Sequence, residues 1–558
     1  MKKLPITLLY VCTLLQLSRS DFCNPGCFCD DSSLSVTCSN SQLAHIPLML
    51  NPQTKRIILN NNRITEIQVD ELSTYHDLEE LDLSYNELFL LNRGCFSKLR
   101  NLRILRLRGN LLQSLNPAIF TGLRQLRELD LSENDLTELQ QFQFADLRYL
   151  ERLNLSKNAI KTVDGNAFQG LANLRQLSLQ QNELSSLHRA TLHSLSVLQT
   201  LDLSYNYLSM IANDTLKLHK DLHTLDLSGN DISLIEDNSF LGLDNLRQLF
   251  LTDNALKQVP TLSFRYLTSL QTLSVSGNLF TEIGTSAFEG LSQLTELQIM
   301  NCKNLQSIAI NAFSGLYALT TLWLANNVRL SGVSEFAFER GATTVRYIHL
   351  FGNNLSSLPS TLVPWKNLEF LDLRYNPWNC NCDLQWLAKL LQGKQSSAAI
   401  LADSTVCRIP ESLSAKSLYR LTAKDFQCEV GGFKVTYLAI IIVAILVVLM
   451  VSIGGFLFLA QRQHWINCSC SICRCSSTLC TLCSRQSKSS SSPNSGPDPL
   501  KKSKAKVKRS WNGKHPECQS FLSSSSDSSS LPKTVTVGGA QRNSFKILAE
   551  YPVPITEL

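Results

Sequence analysis

The chain has 558 residues, with 52 lysines and arginines against 46 aspartates and glutamates, a length that implies several domains rather than one. Residues 461–558 carry 14 basic and 5 acidic side chains, a net of +9, whereas residues 21–460 carry 35 and 41, a net of −6. The overall +6 is a sum of opposite parts, so it gives no support to nucleic-acid binding.

Taken in order, the chain opens with Lys2 and Lys3, an apolar run from Ile6 to Leu17, and Ser18-Arg19-Ser20. This pattern predicts a secretory signal peptide over residues 1–20, too short to serve as an anchor. Cys23, Cys27, Cys29 and Cys38 follow within CNPGCFCDDSSLSVTC. Four cysteines allow three pairings, and an oxidising exterior favours disulfides over zinc.

A repeat then begins. Segments such as LEELDLSYNEL (residues 78–88), LRILRLRGNLL (102–112), LRELDLSENDL (126–136) and LQTLDLSYNYL (198–208) share the pattern Leu-x-x-Leu-x-Leu-x-x-Asn-x-Leu. The landmark asparagine falls at 62, 86, 110, 134, 158, 182, 206, 230, 254 and 278, always 24 residues apart. Cys302, Asn327, Asn353 and Asn376 complete fourteen repeats over residues 54–376. Alternating leucines, such as Leu81 and Leu83, predict a short strand with one apolar face. The asparagine is expected to bond backbone groups in the turn that leaves the strand. Ten or eleven residues after the landmark stands an apolar anchor, usually phenylalanine: Phe96, Phe120, Phe144, Phe168, Phe240, Phe264, Phe288, Phe313 and Phe338. These rings are expected to stack as a spine, because no repeat can bury its own leucines without a neighbour. After the last repeat, NPWNCNCDLQWL supplies Cys380 and Cys382, with Cys407 and Cys428 beyond.

The repeat and its flanking cysteines resemble the extracellular leucine-rich-repeat family over roughly residues 21–430. The resemblance implies an α/β-type leucine-rich-repeat solenoid, a horseshoe with a parallel concave β-sheet, closed by disulfide caps at residues 21–53 and 377–430. It also implies the pairings Cys23–Cys29, Cys27–Cys38, Cys380–Cys407 and Cys382–Cys428. Cys95 and Cys302 are expected as buried free thiols rather than intermolecular bridges; Cys302 stands at a landmark position where the family tolerates cysteine.

On the concave face, the residue between the paired leucines points to solvent. In the first repeats this position gives Asp82, Arg106 and Asp130, whose alternating sign predicts pairing between neighbouring strands. Towards the C-terminal end the outward positions become aromatic: Phe250, Trp323, Tyr347, His349, Phe351 and Phe370, with Met300 beside them. Large rings facing water predict the ligand-binding surface, unless the C-terminal cap covers them. Asn154, Asn213 and Asn354 begin Asn-x-Ser/Thr sequons, and a sugar on Asn154 would shield the middle of the face.

Residues 437–460, YLAIIIVAILVVLMVSIGGFLFLA, hold no charge and predict one transmembrane helix within residues 435–460. The basic excess of residues 461–558 orients that tail to the cytoplasm, giving a type I plasma-membrane protein. Cys468, Cys470, Cys473 and Cys475 lie close behind the span, where palmitoylation is preferred over zinc binding through the Cys470/Cys473 and Cys480/Cys483 spacing. KKSKAKVKR (501–509) suits anionic lipid, and serine-rich runs predict a disordered tail. The terminal Ile-Thr-Glu-Leu resembles a ligand for a PDZ scaffold, with Thr556 and Leu558 as the recognised residues.

No catalytic constellation, cofactor motif or metal site is legible. His219 and His223 are four apart, but Lys220 follows His219 where a zinc protease has glutamate, and His223 falls at a strand. The resemblance extends to single-pass leucine-rich-repeat transmembrane proteins of the adhesion or synaptic-organiser type. It implies an extracellular protein ligand or a membrane co-receptor as partner. The short connection between Cys428 and the span favours one alternative, an accessory subunit of a channel or receptor in the same membrane, and a further alternative is an innate-recognition receptor or co-receptor.

Overall fold

A computed structural model describes residues 23–48, 50–338, 342–393, 401, 403–426, 428 and 435–469. Residues 1–20, Cys470, Cys473, Cys475, Thr556 and Leu558 lie outside the described residues, and Cys468 falls in the helical segment whose side chains are not described.

Leucine alternation produces the expected strands. Fourteen parallel three-residue strands run from Arg56–Ile58 to Phe370–Asp372 in one sheet. The 24-residue period sets the register, so Leu81 lies opposite Ile57 on one side and Leu105 on the other. The N-terminal cap extends the sheet to sixteen strands. Ser35–Thr37 runs parallel to Arg56–Ile58, and Phe28–Asp30 closes antiparallel to it. A parallel sheet whose first edge is turned back by a hairpin exposes less unpaired backbone at that end.

Behind each strand the chain turns through a left-handed residue just before the landmark asparagine. Tyr85, Glu133 and Tyr205 take φ values of 55–56°, and Gly109 and Gly229 take 65° and 66°. The asparagine stabilises this costly conformation. Asn86 donates from Nδ2 to the carbonyls of Leu83 in its own repeat and Leu59 in the preceding one, both at 3.0 Å, and its Oδ1 accepts the Ile64 N–H. Asn110, Asn134, Asn206 and Asn230 repeat the pattern. Each landmark therefore bonds two coils together and satisfies buried backbone that would otherwise be unpaired.

On the far side the phenylalanines stack. Phe120–Phe144, Phe144–Phe168 and Phe240–Phe264 have centroids 5.8, 6.1 and 6.3 Å apart. Adjacent strands are spaced by about 4.8 Å, so the spine follows the longer arc and the sheet lies on the concave side. Leu192 and Leu216 replace phenylalanine in the middle of the spine, where a four-residue helix, Arg189–Leu192, interrupts the turns. His219 fills a leucine position here, fully buried, with its ring nitrogens 3.2 and 3.0 Å from the carbonyl oxygens of Leu216 and Leu192.

Both ends are closed by disulfides, Cys23–Cys29 and Cys27–Cys38 at one and Cys380–Cys407 and Cys382–Cys428 at the other. The C-terminal cap places Trp378 in the core, its indole N–H donating to Leu373. The helix Gln385–Gln392 packs Leu387, Ala388 and Leu391 against the end of the array. Cys95 and Cys302 are buried and unpaired.

The last helix runs over Val435–Ser469, and a second compact unit begins within it at Ala444. The helix's stretch Ala439–Gln461 has a mean hydropathy of 3.1 and is exposed throughout. At 1.5 Å per residue those 23 residues reach about 34 Å, long and apolar enough to cross a membrane.

Candidate functional site

The open face of the sheet is built from side chains that alternate with the buried leucines. Each strand offers its first and third residues, and the turn adds one more. Across the first five strands these positions form a closed set of ion pairs. Arg106 reaches Glu80 at 2.5 Å and Glu128 at 3.1 Å, Arg56 reaches Glu80 at 2.6 Å, and Arg152 reaches Glu128 at 2.7 Å. This corrects the pairing expected among Asp82, Arg106 and Asp130. The aspartate side chains are short, and Oδ1 of each accepts a backbone N–H two residues on, from Ser84 and Ser132. The longer glutamates one row away make the cross-strand bonds instead.

A parallel row pairs Glu79 with Lys55 and Arg103, and Arg127 with Glu151. At the turn edge, Glu133 accepts from Lys157 and Arg108, which together hold its carboxyl at about 2.

The middle strands differ. Asn154 stands in register between Asp130 and Ser178, its Oδ1 accepting the Ser156 N–H. Asn213 accepts the Asn238 N–H, and Asn354 is exposed. Unlike the landmark asparagines, none of these three donates a side-chain hydrogen bond among the described residues. Asp202 and Asp226 are directly opposed on neighbouring strands, and Phe250 follows in the same row. Burial, with a contribution from Asp202, pushes the Asp226 carboxyl above its ordinary range.

At the C-terminal end three rings come together. Trp323 and His349 are in register on adjacent strands and stack at 3.5 Å with a 6° tilt. His349 also meets Phe370, at 4.7 Å and 35°. Enclosed by these rings, the imidazole is held at about 4 by burial, against a smaller opposing effect of Asp372. The Trp323 Nε1–H donates to Glu296 at 3.0 Å, and the Tyr347 hydroxyl donates to Glu369 at 2.5 Å. Asp372 is fixed by a two-pronged bond from Arg374.

Of the aromatic residues read from the sequence, Trp323, His349 and Phe370 therefore form one stack. Tyr347 and Phe351 occupy the outward positions on either side of His349, with Tyr347 38 % exposed. Phe250 lies apart, separated from Trp323 by the strands Thr272–Ser274 and Glu296–Gln298. Sequence reasoning missed Glu296 and Glu369, which orient the rings. Reading the strand's first outward position and the residue before it, alongside the central one, finds both. Among the described residues no three histidine, cysteine, aspartate or glutamate side chains converge as a metal site, and His223 directly precedes the strand Thr224–Asp226.

Comparison with known proteins returns the same architecture. The family model described as Leucine rich repeat matches in overlapping windows from residue 52 to residue 328. Chondroadherin of Rattus norvegicus is 46% identical over 70 residues, 12% of this chain and 19% of that protein. Leucine-rich repeat-containing protein 3B of Homo sapiens is 35% identical over 107 residues, 19% of this chain and 41% of that protein. The chain thus spans less than half the length of either relative. A structure of the Drosophila Toll–Spatzle complex superposes with a TM-score of 0.50 at 20% identity, covering 67% of this chain and 61% of that one, a likeness of fold alone. With fourteen parallel coils, a hydrogen-bonding asparagine in every turn but that of Cys302 and disulfides closing both ends, the chain belongs to the leucine-rich-repeat proteins.

Proposed function

We propose that this is a type I single-pass cell-surface protein that recognises a protein partner, in adhesion or reception, through the C-terminal third of its concave sheet. It binds rather than catalyses. The observation that carries the reading is the stack of Trp323, His349 and Phe370 on an open sheet face. Rings held rigid before a partner arrives lose little freedom on binding, and such rings dominate interface energetics. Phe351 and Tyr347 extend the surface. Chondroadherin and the other relatives are built on the same repeat, which supports a recognition role without naming a ligand. A chain carrying Trp323→Ser and Phe351→Ser should reach the cell surface normally and lose partner binding by at least about tenfold. Binding and delivery both at the wild-type level would remove the patch from consideration.

Sugars at Asn154, Asn213 and Asn354 fit this arrangement, since none of the three amide nitrogens donates a hydrogen bond among the described residues. A glycan on Asn154 steers a partner away from the ion-paired end. The tail supplies the inner contacts: acyl chains on Cys468, Cys470, Cys473 and Cys475, anionic lipid beneath Lys501–Arg509, and a PDZ scaffold at Thr556 and Leu558. Aggregation of transfected cells supports adhesion, whereas co-purification with a multi-span protein of the same membrane supports the accessory-subunit reading.

A further inference from the structure

The two ends of the sheet differ in how their charges are used. Glu79, Glu80, Glu128 and Glu151, near the N-terminal end, all pair with arginine or lysine. On the sheet face no such pair is made from the strand Thr200–Asp202 to the strand Glu296–Gln298 among the described residues, and Asp372, further on, is again held by an arginine, Arg374. Asp202, Asp226 and Glu296 face outward, and among the described residues no cation lies within ion-pair distance of any of them. Asp202 and Asp226 instead oppose each other across neighbouring strands, a like-charge contact that destabilises the free protein.

Two of these carboxylates stand beside an aromatic residue. Asp226 is in register with Phe250, and Glu296 receives the indole N–H of Trp323. Trp323 Nε1 and Gln298 Nε2 both donate to the same Glu296 oxygen, Oε1, so Oε2 keeps its acceptor capacity. A carboxylate beside a ring is the chemistry that recognises a guanidinium or ammonium group, which takes the charge from one and the π-face from the other.

We infer that the partner presents a basic, extended segment to this face, with one cationic side chain seated at Asp202, Asp226 and Phe250 and a second at Glu296 and the Trp323–His349 stack. The inference rests on the recognition role proposed above and specifies its chemistry. Between Phe250 and Trp323 there are three strand steps, and from the Asp226 strand four, so the two seats lie about 17 Å apart. An extended chain covers that distance in about five residues. The paired N-terminal glutamates offer no comparable seat, which confines the contact to the half of the sheet beyond Asn154.

The test uses the full-length protein on transfected cells, with a phage-displayed library of random decapeptides as the probe. Enriched peptides should carry two arginines or lysines about five residues apart. Replacing those arginines by citrulline, which keeps the shape and removes the charge, should weaken binding at least about tenfold. The nearly isosteric D226N and E296Q variants, matched for surface delivery, should do the same, and raising the salt concentration should weaken the wild-type complex. Selection of peptides without a basic pair, or of none, overturns the inference, as does equal binding of the arginine and citrulline forms. Loss of binding in W323S but not in D226N or E296Q leaves the recognition site standing and removes the cationic partner. Binding unaffected by all three variants removes both.

Discussion

At the scale of single residues, side chains here act by where the 24-residue period places them. Leucine, asparagine and phenylalanine are legible in the sequence because each must recur to meet its own kind in the next coil. The partner of Arg106 is not legible, since one outward row read alone hides the glutamates beside it. His349 shows the same limit: its outward position follows from the pattern, whereas its enclosure between Trp323 and Phe370 requires their rotamers. Burial there has a measurable consequence. The folded imidazole titrates at about 4 against an ordinary 6.5, so between those values the unfolded chain binds a proton that the folded chain does not. Stability from this group is present above pH 6.5 and lost as pH falls towards 4. The difference in melting temperature between wild type and H349F should therefore change across that interval and be flat above pH 7. A difference independent of pH would show that the ring is not excluded from water. Gly229 supplies a second case. Its φ is +66°, and a Cβ would stand 2.6 Å from the Tyr205 ring. G229A should cost about 1–3 kcal/mol in denaturant unfolding, and G229A combined with Y205A should recover the steric part.

At the scale of elements, the spine and the asparagine fan bind neighbouring coils from opposite sides. Phe144 touches Phe120 and Phe168, and it is fully buried. Truncating it to alanine removes contacts to both neighbours and should cost about 3–5 kcal/mol, with hydrogen exchange accelerated in those coils more than at the ends. The spine was readable from the spacing of phenylalanines. The left-handed residue before each landmark was not, because Tyr85, Glu133, Lys157 and Tyr205 have nothing in common except their place in the turn. Local preference yields there to the bonds that Asn86 and its counterparts make. The two added strands of the N-terminal hairpin escaped notice for a related reason: Phe28–Asp30 and Ser35–Thr37 lie outside the repeat and carry no period.

At the scale of the whole molecule, stability is that of a stack in which each coil meets only its neighbours, so the ends govern how readily it frays. The Cys380–Cys407 bridge closes a separation of 27 residues, which by loop-closure entropy contributes about 3.5 kcal/mol. C380S with C407S should increase exchange first in the last coils, near Trp378 and Asn376, and only weakly near Asn86; uniform loss of protection would show a single cooperative block. The remaining thiols bear on how those bridges form. Burial pushes Cys95 up to about 12 and Cys302 up to about 11. A sulfur that scarcely ionises near neutral pH is a poor attacker in disulfide exchange. Where the coils have closed over these two, the eight half-cystines at the termini find their mates without two internal competitors.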